Sequence, residues 1–165
     1  MLTLYLIRHA KTEDRLNHPL DIHRQLTSDG LHDAQLIGNF FSTNHHIVDV
    51  LMYSHASRTT QTARAINESL QLPTERLVIK NEIYHADSTE LMRIIQATKS
   101  SFIRHLALVG HNPTLTDCAS ALCTENVPPF APAQVVALTF KEADWQKIQP
   151  HSGSLKFVYI PKGKP

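Results

Sequence analysis

Short apolar runs alternate with helix-period segments along nearly the whole chain, and this alternation restricts the fold more than any other feature. The runs Leu2–Ile7, Asp49–Tyr53, Leu77–Ile79, His105–Val109, Gln134–Phe140 and Leu155–Ile160 read as strands. Between the first two, Leu26, Gly30, Ala34, Ile37 and Phe41 fall at spacings of four, four, three and four, which makes one helical face. Ser57 to Leu70 repeats the pattern with Ala63, Ile66 and Leu70 on one side. A third helix carries Leu91, Ile94, Ile95 and Thr98, with Asp87 or Ser88 as N-cap. In a fourth, Leu115, Cys118, Ala119 and Leu122 follow Pro113, which suits a first helical position.

Strands that alternate with helices of this length make crossover units, and crossovers place helices on both faces of a parallel sheet. The last two runs lack a full helix between them: KEADWQKIQPHSGS has room for a loop or one helical turn. One antiparallel strand is therefore expected. The fold class that follows is α/β, a three-layer α/β/α sandwich around a mostly parallel six-stranded sheet with one antiparallel strand. At 165 residues the chain is expected to form a single domain, residues 1–165. Two long proline-marked stretches interrupt the pattern, AKTEDRLNHPLDIHRQ and TENVPPFAPA, and loops of such length in compact domains tend to be functional.

The net charge of +1 leaves no electrostatic footprint for nucleic acid or an anionic membrane, and the basic tail PKGKP is too short to supply one. No apolar run is long enough to span a bilayer. The two cysteines, Cys118 and Cys123, read as buried thiols, and with no C-x-x-C and no signal peptide a reducing cytoplasm is expected. The unusual count is eleven histidines. Most fall in loops or on polar helix faces, His45 and His46 are adjacent, and no H-E-x-x-H or mixed Cys/His cluster occurs. No metal and no cofactor is expected.

The chain opens LTLYLIRHAKTE, an apolar run that finishes in a cation and an imidazole before any turn residue appears. Adjacent strand residues point to opposite faces, so Arg8 and His9 can share a site only if the pleat is left there. In open α/β sheets ligands bind beyond the carboxyl ends of strands. Those ends carry Arg8 and His9 after the first strand, Arg58 at the start of the second helix, and His111 before the fourth. Glu82 and Asp87 follow the third strand, and Asp87 is better explained as a helix cap.

Two guanidiniums and two imidazoles at one sheet edge, two of the four beside helix N-termini, suit a dianionic tetrahedral guest such as phosphoryl. The chain has no G-x-x-x-x-G-K-[ST] loop, which excludes nucleotide hydrolysis by a P-loop route. A neutral imidazole that attacks phosphorus while arginines neutralise the equatorial oxygens supplies the alternative.

LIRHAKT, RQLTSDG, SHASRTTQTA and LVGHNP, in that order, resemble the histidine phosphatase superfamily, and LYLIRHAKT, IYHADSTEL and VGHNPTL are similar to its SixA branch of small phosphohistidine phosphatases. The resemblance implies that His9 is the nucleophile, that Arg8 and Arg58 clamp the phosphoryl oxygens, and that His111 completes the pocket as a donor. It places Glu82 where larger members carry a general acid, a role the SixA branch does not clearly require. The nitrogen base of a protonated phosphoramidate leaves more readily than the alkoxide of an ester. Many members read R-H-G; this chain has Ala10, as SixA-like members commonly do. On this reading β-strand geometry ends at Ile7, and the chain bends so that Arg8 and His9 address one oxyanion. One ring nitrogen of His9 then attacks while the other donates to a backbone carbonyl. His55 and His85 lie in crevice loops and could touch the substrate. The implied activity is metal-independent hydrolysis of phosphohistidine on a protein, such as a phosphotransfer domain of a signalling relay, by a cytoplasmic monomer. A small phosphorylated metabolite is the alternative substrate, and a non-catalytic phosphate-binding module the alternative function.

Overall fold

The computed structural model describes residues 1–17, 19–99 and 101–162; His18 and the last three residues of the PKGKP tail lie outside the described residues. In chain order the elements are β1 (Leu2–Arg8), α1 (Ser28–Thr43), β2 (Val50–Tyr53), α2 (Ser57–Leu70), β3 (Leu77–Ile79), α3 (Ser88–Gln96), β4 (His105–Gly110), α4 (Thr114–Leu122), β5 (Val135–Phe140) and β6 (Gly153–Tyr159). The six strands form one sheet in the order β3-β2-β4-β1-β5-β6. Neighbours are parallel except that β5 runs against both β1 and β6, so β5 is the antiparallel strand that the missing helix foretold.

The central strands are apolar on both faces because both faces are covered. Leu2, Leu4 and Leu6 of β1 join Leu106 and Leu108 of β4 beneath Leu91 and Ile95 of α3 and Leu115, Cys118 and Leu122 of α4. On the other face Tyr5, Ile7, Ala107 and Val109 pack under Ala34, Ile37 and Phe41 of α1 and Ala63 and Ile66 of α2. Full burial of one such large side chain is worth about 1.5–3 kcal/mol, so these two layers, rather than helix propensity, hold the sandwich together.

Helix α1 starts where Thr27 accepts from the Gly30 N–H at 3.0 Å, a side-chain N-cap. A Cβ at Gly38 would sit 2.5 Å from the Ile66 carbonyl of α2, so only glycine permits α1 and α2 to cross this closely. Asp87 caps α3 by accepting from the Glu90 N–H at 2.8 Å. Pro113, joined to Asn112 by a cis peptide, precedes the first residue of α4 rather than being it. Trp145 sits in a single helical turn between β5 and β6 and donates its indole N–H to the Ile103 carbonyl at 2.6 Å. Parallel pairing puts the carboxyl ends of β1, β2 and β4 at one edge, where Asp21 of the first long stretch meets Arg58 and Phe130 of the second meets Arg8.

Candidate active site

The first strand does not stop at Ile7. Arg8 pairs with Gly110, its N–H donates to the Gln134 carbonyl at 3.0 Å, and the His9 N–H still reaches the Gly110 carbonyl at 3.2 Å. The expected bend is therefore corrected: Arg8 belongs to the ladder, held from both sides by β4 and the chain entering β5. The two side chains reach one site because β1 and β4 end together, so both faces of the sheet open onto the same edge.

His9 is only 7% exposed. Its Nδ1–H donates to the Ala10 carbonyl at 2.9 Å, and because a carbonyl only accepts, Nε2 carries the lone pair. Helix α2 fixes this arrangement: Thr62 Oγ1 accepts from the Ala10 N–H at 3.1 Å and donates to the Arg58 carbonyl at 2.7 Å. Burial pushes the imidazole pKa down to about 4, helped by the charges of Arg58, Arg8 and Arg24 and opposed by the bond to Ala10. His9 thus presents a neutral imidazole of fixed orientation near pH 7.

Three guanidiniums surround it, each held by its terminal nitrogens. Arg58 is buried; its Nη1–H donates to the Asp21 carbonyl and its Nη2–H to Asp21 Oδ2, both at 2.9 Å. Arg8 donates from Nη1 to the Phe130 carbonyl at 2.8 Å, which also accepts from Asn112 at 3.0 Å. Arg24 Nη2 lies 3.3 Å from Asp21 Oδ1. In all three the Nε donor is buried and meets no partner. Burial, then the Arg24 charge, lowers the Arg8 pKa.

His111 completes the group, its ring centroid 5.5 Å from that of His9. Its Nε2 meets Ser54 Oγ at 2.8 Å, and its Nδ1 is buried without a partner. Burial, then Arg58 and His9, push its pKa down to about 3 against a smaller opposing pull from Asp21. Tyr84 stands perpendicular to His111 at 5.4 Å and donates its hydroxyl to Asp21 Oδ2 at 2.9 Å. Burial alone would raise the Asp21 carboxyl, but the Tyr84 hydroxyl, Arg58 and Arg24 together hold it down to about 2.

The profile of the histidine phosphatase superfamily (branch 1) matches residues 4–112, about two thirds of the chain, a span that holds Arg8, His9, Asp21, Arg24, Ser54, Arg58, Tyr84 and His111. The chain belongs to the histidine phosphatase superfamily. Phosphohistidine phosphatase SixA of Escherichia coli is 21% identical over 151 residues, covering 88% of this chain and 92% of that protein. Among solved structures, the protein histidine phosphatase SixA complexed with tungstate superposes with a TM-score of 0.83 at 20% identity, covering 97% of each chain. A protein of Nakamurella multipartitia assigned as a SixA phosphohistidine phosphatase gives 0.80 at 25% identity, covering 97% of this chain and 96% of that one. The chain is thus a phosphatase of the SixA-like branch.

The four residues singled out for the pocket, Arg8, His9, Arg58 and His111, come together in this histidine phosphatase. Glu82 does not join them. It is exposed and lines a shallow hollow with Lys80, Glu90 and Arg93 beside α3. Tyr84, two residues on in the same helical turn, faces the pocket in its place, with His55 and His85 against its ring at 5.4 and 4.4 Å. The sequence reading passed over Asp21, Arg24, Tyr84 and Ser54. Asp21 and Arg24 lie in the long loop marked as irregular, but only the closed fold shows an aspartate meeting an arginine 37 residues away. Among the described residues no group of three or more His, Cys, Asp or Glu could hold a metal ion, and no helix is long and apolar enough to cross a membrane.

Proposed function

We propose that residues 1–165 act as one catalytic domain that removes the phosphoryl group from phosphohistidine on a protein of a cytoplasmic signalling relay, without a metal and as a monomer. The His9 Nε2 lone pair attacks phosphorus, the substrate P–N bond breaks, and the substrate imidazole departs neutral with the proton on its other nitrogen. Phospho-His9 keeps its Nδ1–H on the Ala10 carbonyl. Water then attacks phosphorus, the second P–N bond breaks, and dihydrogen phosphate and neutral His9 are released. Arg8, Arg24 and Arg58 stabilise the equatorial oxygens through their free Nε–H groups, and His111 donates from Nδ1.

One observation carries this reading: a neutral imidazole of fixed tautomer lies among three buried guanidinium Nε–H donors that have no acceptor. Such donors favour a ligand rich in oxygen, because an unsatisfied buried donor costs about 1–3 kcal/mol. The substrate class follows from the carboxylates. Asp21 is ionised near neutral pH and tied to Arg58, Arg24 and Tyr84, so it has no proton for an alkoxide; Glu82 is turned away. A phosphorylated imidazole brings its own proton. The likeness to SixA over nearly the whole chain supports the same choice.

The test is to incubate the protein, with chelator present, with a phosphohistidine-bearing phosphotransfer domain, an aryl phosphate and a set of phosphorylated metabolites. The reading expects acid-labile, alkali-stable label on His9 and a kcat/KM highest for the phosphoprotein. A metabolite preferred over the protein overturns the substrate class; turnover lost on chelation overturns the mechanism.

A further inference from the structure

We infer that Ser54 and Thr59 fix the resting tautomer of His111 with its proton on Nε2, so that this histidine must take up a proton from solvent before it can donate to a bound dianion. The inference rests on the phosphoryl site proposed above and concerns how that site is charged.

The hydrogens available to these hydroxyls set the direction of their bonds. Ser54 and Thr59 are both fully buried. Thr59 Oγ1 has one hydrogen and three close oxygen neighbours: the Ser54 carbonyl at 2.8 Å, the Ala56 carbonyl at 3.0 Å and Ser54 Oγ at 2.7 Å. Carbonyls cannot donate, so the Thr59 hydrogen must serve them. The contact between the two hydroxyl oxygens then needs the Ser54 hydrogen. With that hydrogen committed, Ser54 Oγ can only accept from His111 Nε2, and it accepts from the Ala56 N–H at 3.4 Å as well. The reverse direction, with Ser54 donating to His111, leaves one hydrogen for the three short oxygen–oxygen contacts at Thr59, where the forward direction supplies two. The chain therefore runs one way, from imidazole to Ser54 to Thr59 to backbone.

A neutral imidazole with its hydrogen on Nε2 presents a lone pair at Nδ1, the buried nitrogen that has no partner. A lone pair also suits the surroundings: Arg58 from α2, Arg24 from the long loop, and neutral His9 from the end of β1 act on this ring, against a smaller pull from Asp21, while Tyr84 stands perpendicular to it. Burial and these cations hold the resting ring neutral. An entering dianion reverses that balance. It offers oxygens to Nδ1 and cancels the guanidinium charge, so His111 gains a proton and donates from both nitrogens. The proton returns to solvent when the anion leaves. Ser54 and Thr59 are thus positioning residues that act through His111.

Tungstate tests this, because at pH 8 it is a tetrahedral dianion with no proton of its own. Calorimetric titration in buffers of different ionisation enthalpy gives the number of protons taken up on binding. We expect proton uptake by the wild-type chain, and about one proton fewer in Ser54→Ala and in Thr59→Val. In the first, Nε2 loses its acceptor; in the second, the freed Ser54 hydroxyl turns to donate to Nε2; both allow a neutral ring with hydrogen on Nδ1. Thr59→Ser should restore the wild-type value. Two-bond ¹H–¹⁵N spectra of the imidazoles should show Nε2–H at rest and both nitrogens protonated with tungstate. A resting Nδ1–H, or equal proton uptake in the wild type and both variants, overturns the inference. Failure of the wild-type chain to bind tungstate instead removes the phosphoryl site itself.

Discussion

Strand β4 has a histidine at each end, and the two are treated in opposite ways. His105 opens the strand and donates from Nδ1 to Asp49 Oδ2 at 3.0 Å; the same oxygen accepts from the Arg104 and His105 backbone N–H groups at 2.8 Å each. His111, just past the other end, has no carboxylate on its ring, a nitrogen without a partner, and arginine charge nearby. At one end the fold supplies an anion that three donors share; at the other it concentrates cations and leaves donors open. A paired histidine ties strands together. One deprived of negative charge belongs to a site that waits for an anion.

The sharpest way to break this comparison is to remove the proposed nucleophile. His9→Ala should lower kcat by about 10⁴-fold or more and abolish the phosphoenzyme, because the second imidazole of the pocket, His111, is protonated on both nitrogens once the dianion is bound and has no lone pair to offer. Arg58→Ala should cost about 10²–10³-fold in kcat, the scale found when one charge-stabilising donor is lost. If Arg58→Ala raised KM alone, the guanidinium would bind ground state and transition state equally, and the open Nε donors would not serve catalysis.

The site end was partly legible in the sequence, and its gaps have physical causes. Arg8, His9 and His111 end apolar runs, and the run itself announces a strand buried on both faces. Arg58 opens a helix whose bounds, Ser57–Leu70, follow directly from its periodicity. Asp21, Arg24 and Tyr84 have no such signal, because they are placed by loop closure and by partners far away in the chain. Glu82 and Tyr84 show the limit best. They share one helical turn, and Ile83 between them, 3% exposed, is drawn into the core against α3 and α4. That one buried side chain sets the rotation of the turn, sending Tyr84 to the pocket and Glu82 to solvent. Spacing alone does not say which neighbour goes where.

Acid should separate the two ends of the sheet as well. His9 titrates near 4 and His111 near 3 in the fold, against an ordinary 6.5. The unfolded chain therefore binds more protons than the native one below about pH 6.5, and stability rises with pH across that window. Urea unfolding at pH 7 and pH 5 should give a lower unfolding free energy at pH 5, and His9→Ala should flatten the difference. Asp21, held near 2, adds a further loss only as pH falls below its ordinary carboxylate range toward that value. Equal stability at the two pH values would mean that the cationic end does not hold its imidazoles neutral.

At the paired end the expected effects are on folding, not on turnover. Asp49→Ala strands two backbone N–H groups and the His105 ring, and should lower stability by about 1–3 kcal/mol while kcat/KM of the folded fraction changes less than about twofold. A large loss of turnover without a loss of stability would mean that the two ends of β4 are coupled in a way their contacts do not explain.

The smallest effect is expected at Glu82, and its smallness is informative. A general acid contributes typically about 10²–10⁴-fold, and it must come within hydrogen-bond reach of the leaving atom. Glu82 is exposed in a hollow beside Lys80, Glu90 and Arg93, on the side of its turn away from Tyr84. Glu82→Gln should therefore change kcat/KM on a phosphohistidine protein by less than about twofold, with an unshifted pH profile. The same variant assayed on an alkyl phosphate is the discriminating arm. There, turnover in the wild type should already be poor, since no positioned acid meets the alkoxide, and the substitution should not worsen it. A tenfold or greater loss on the alkyl phosphate alone would mean that Glu82 swings into the pocket with that substrate, and the choice of phosphoramidate over ester would have to be reversed.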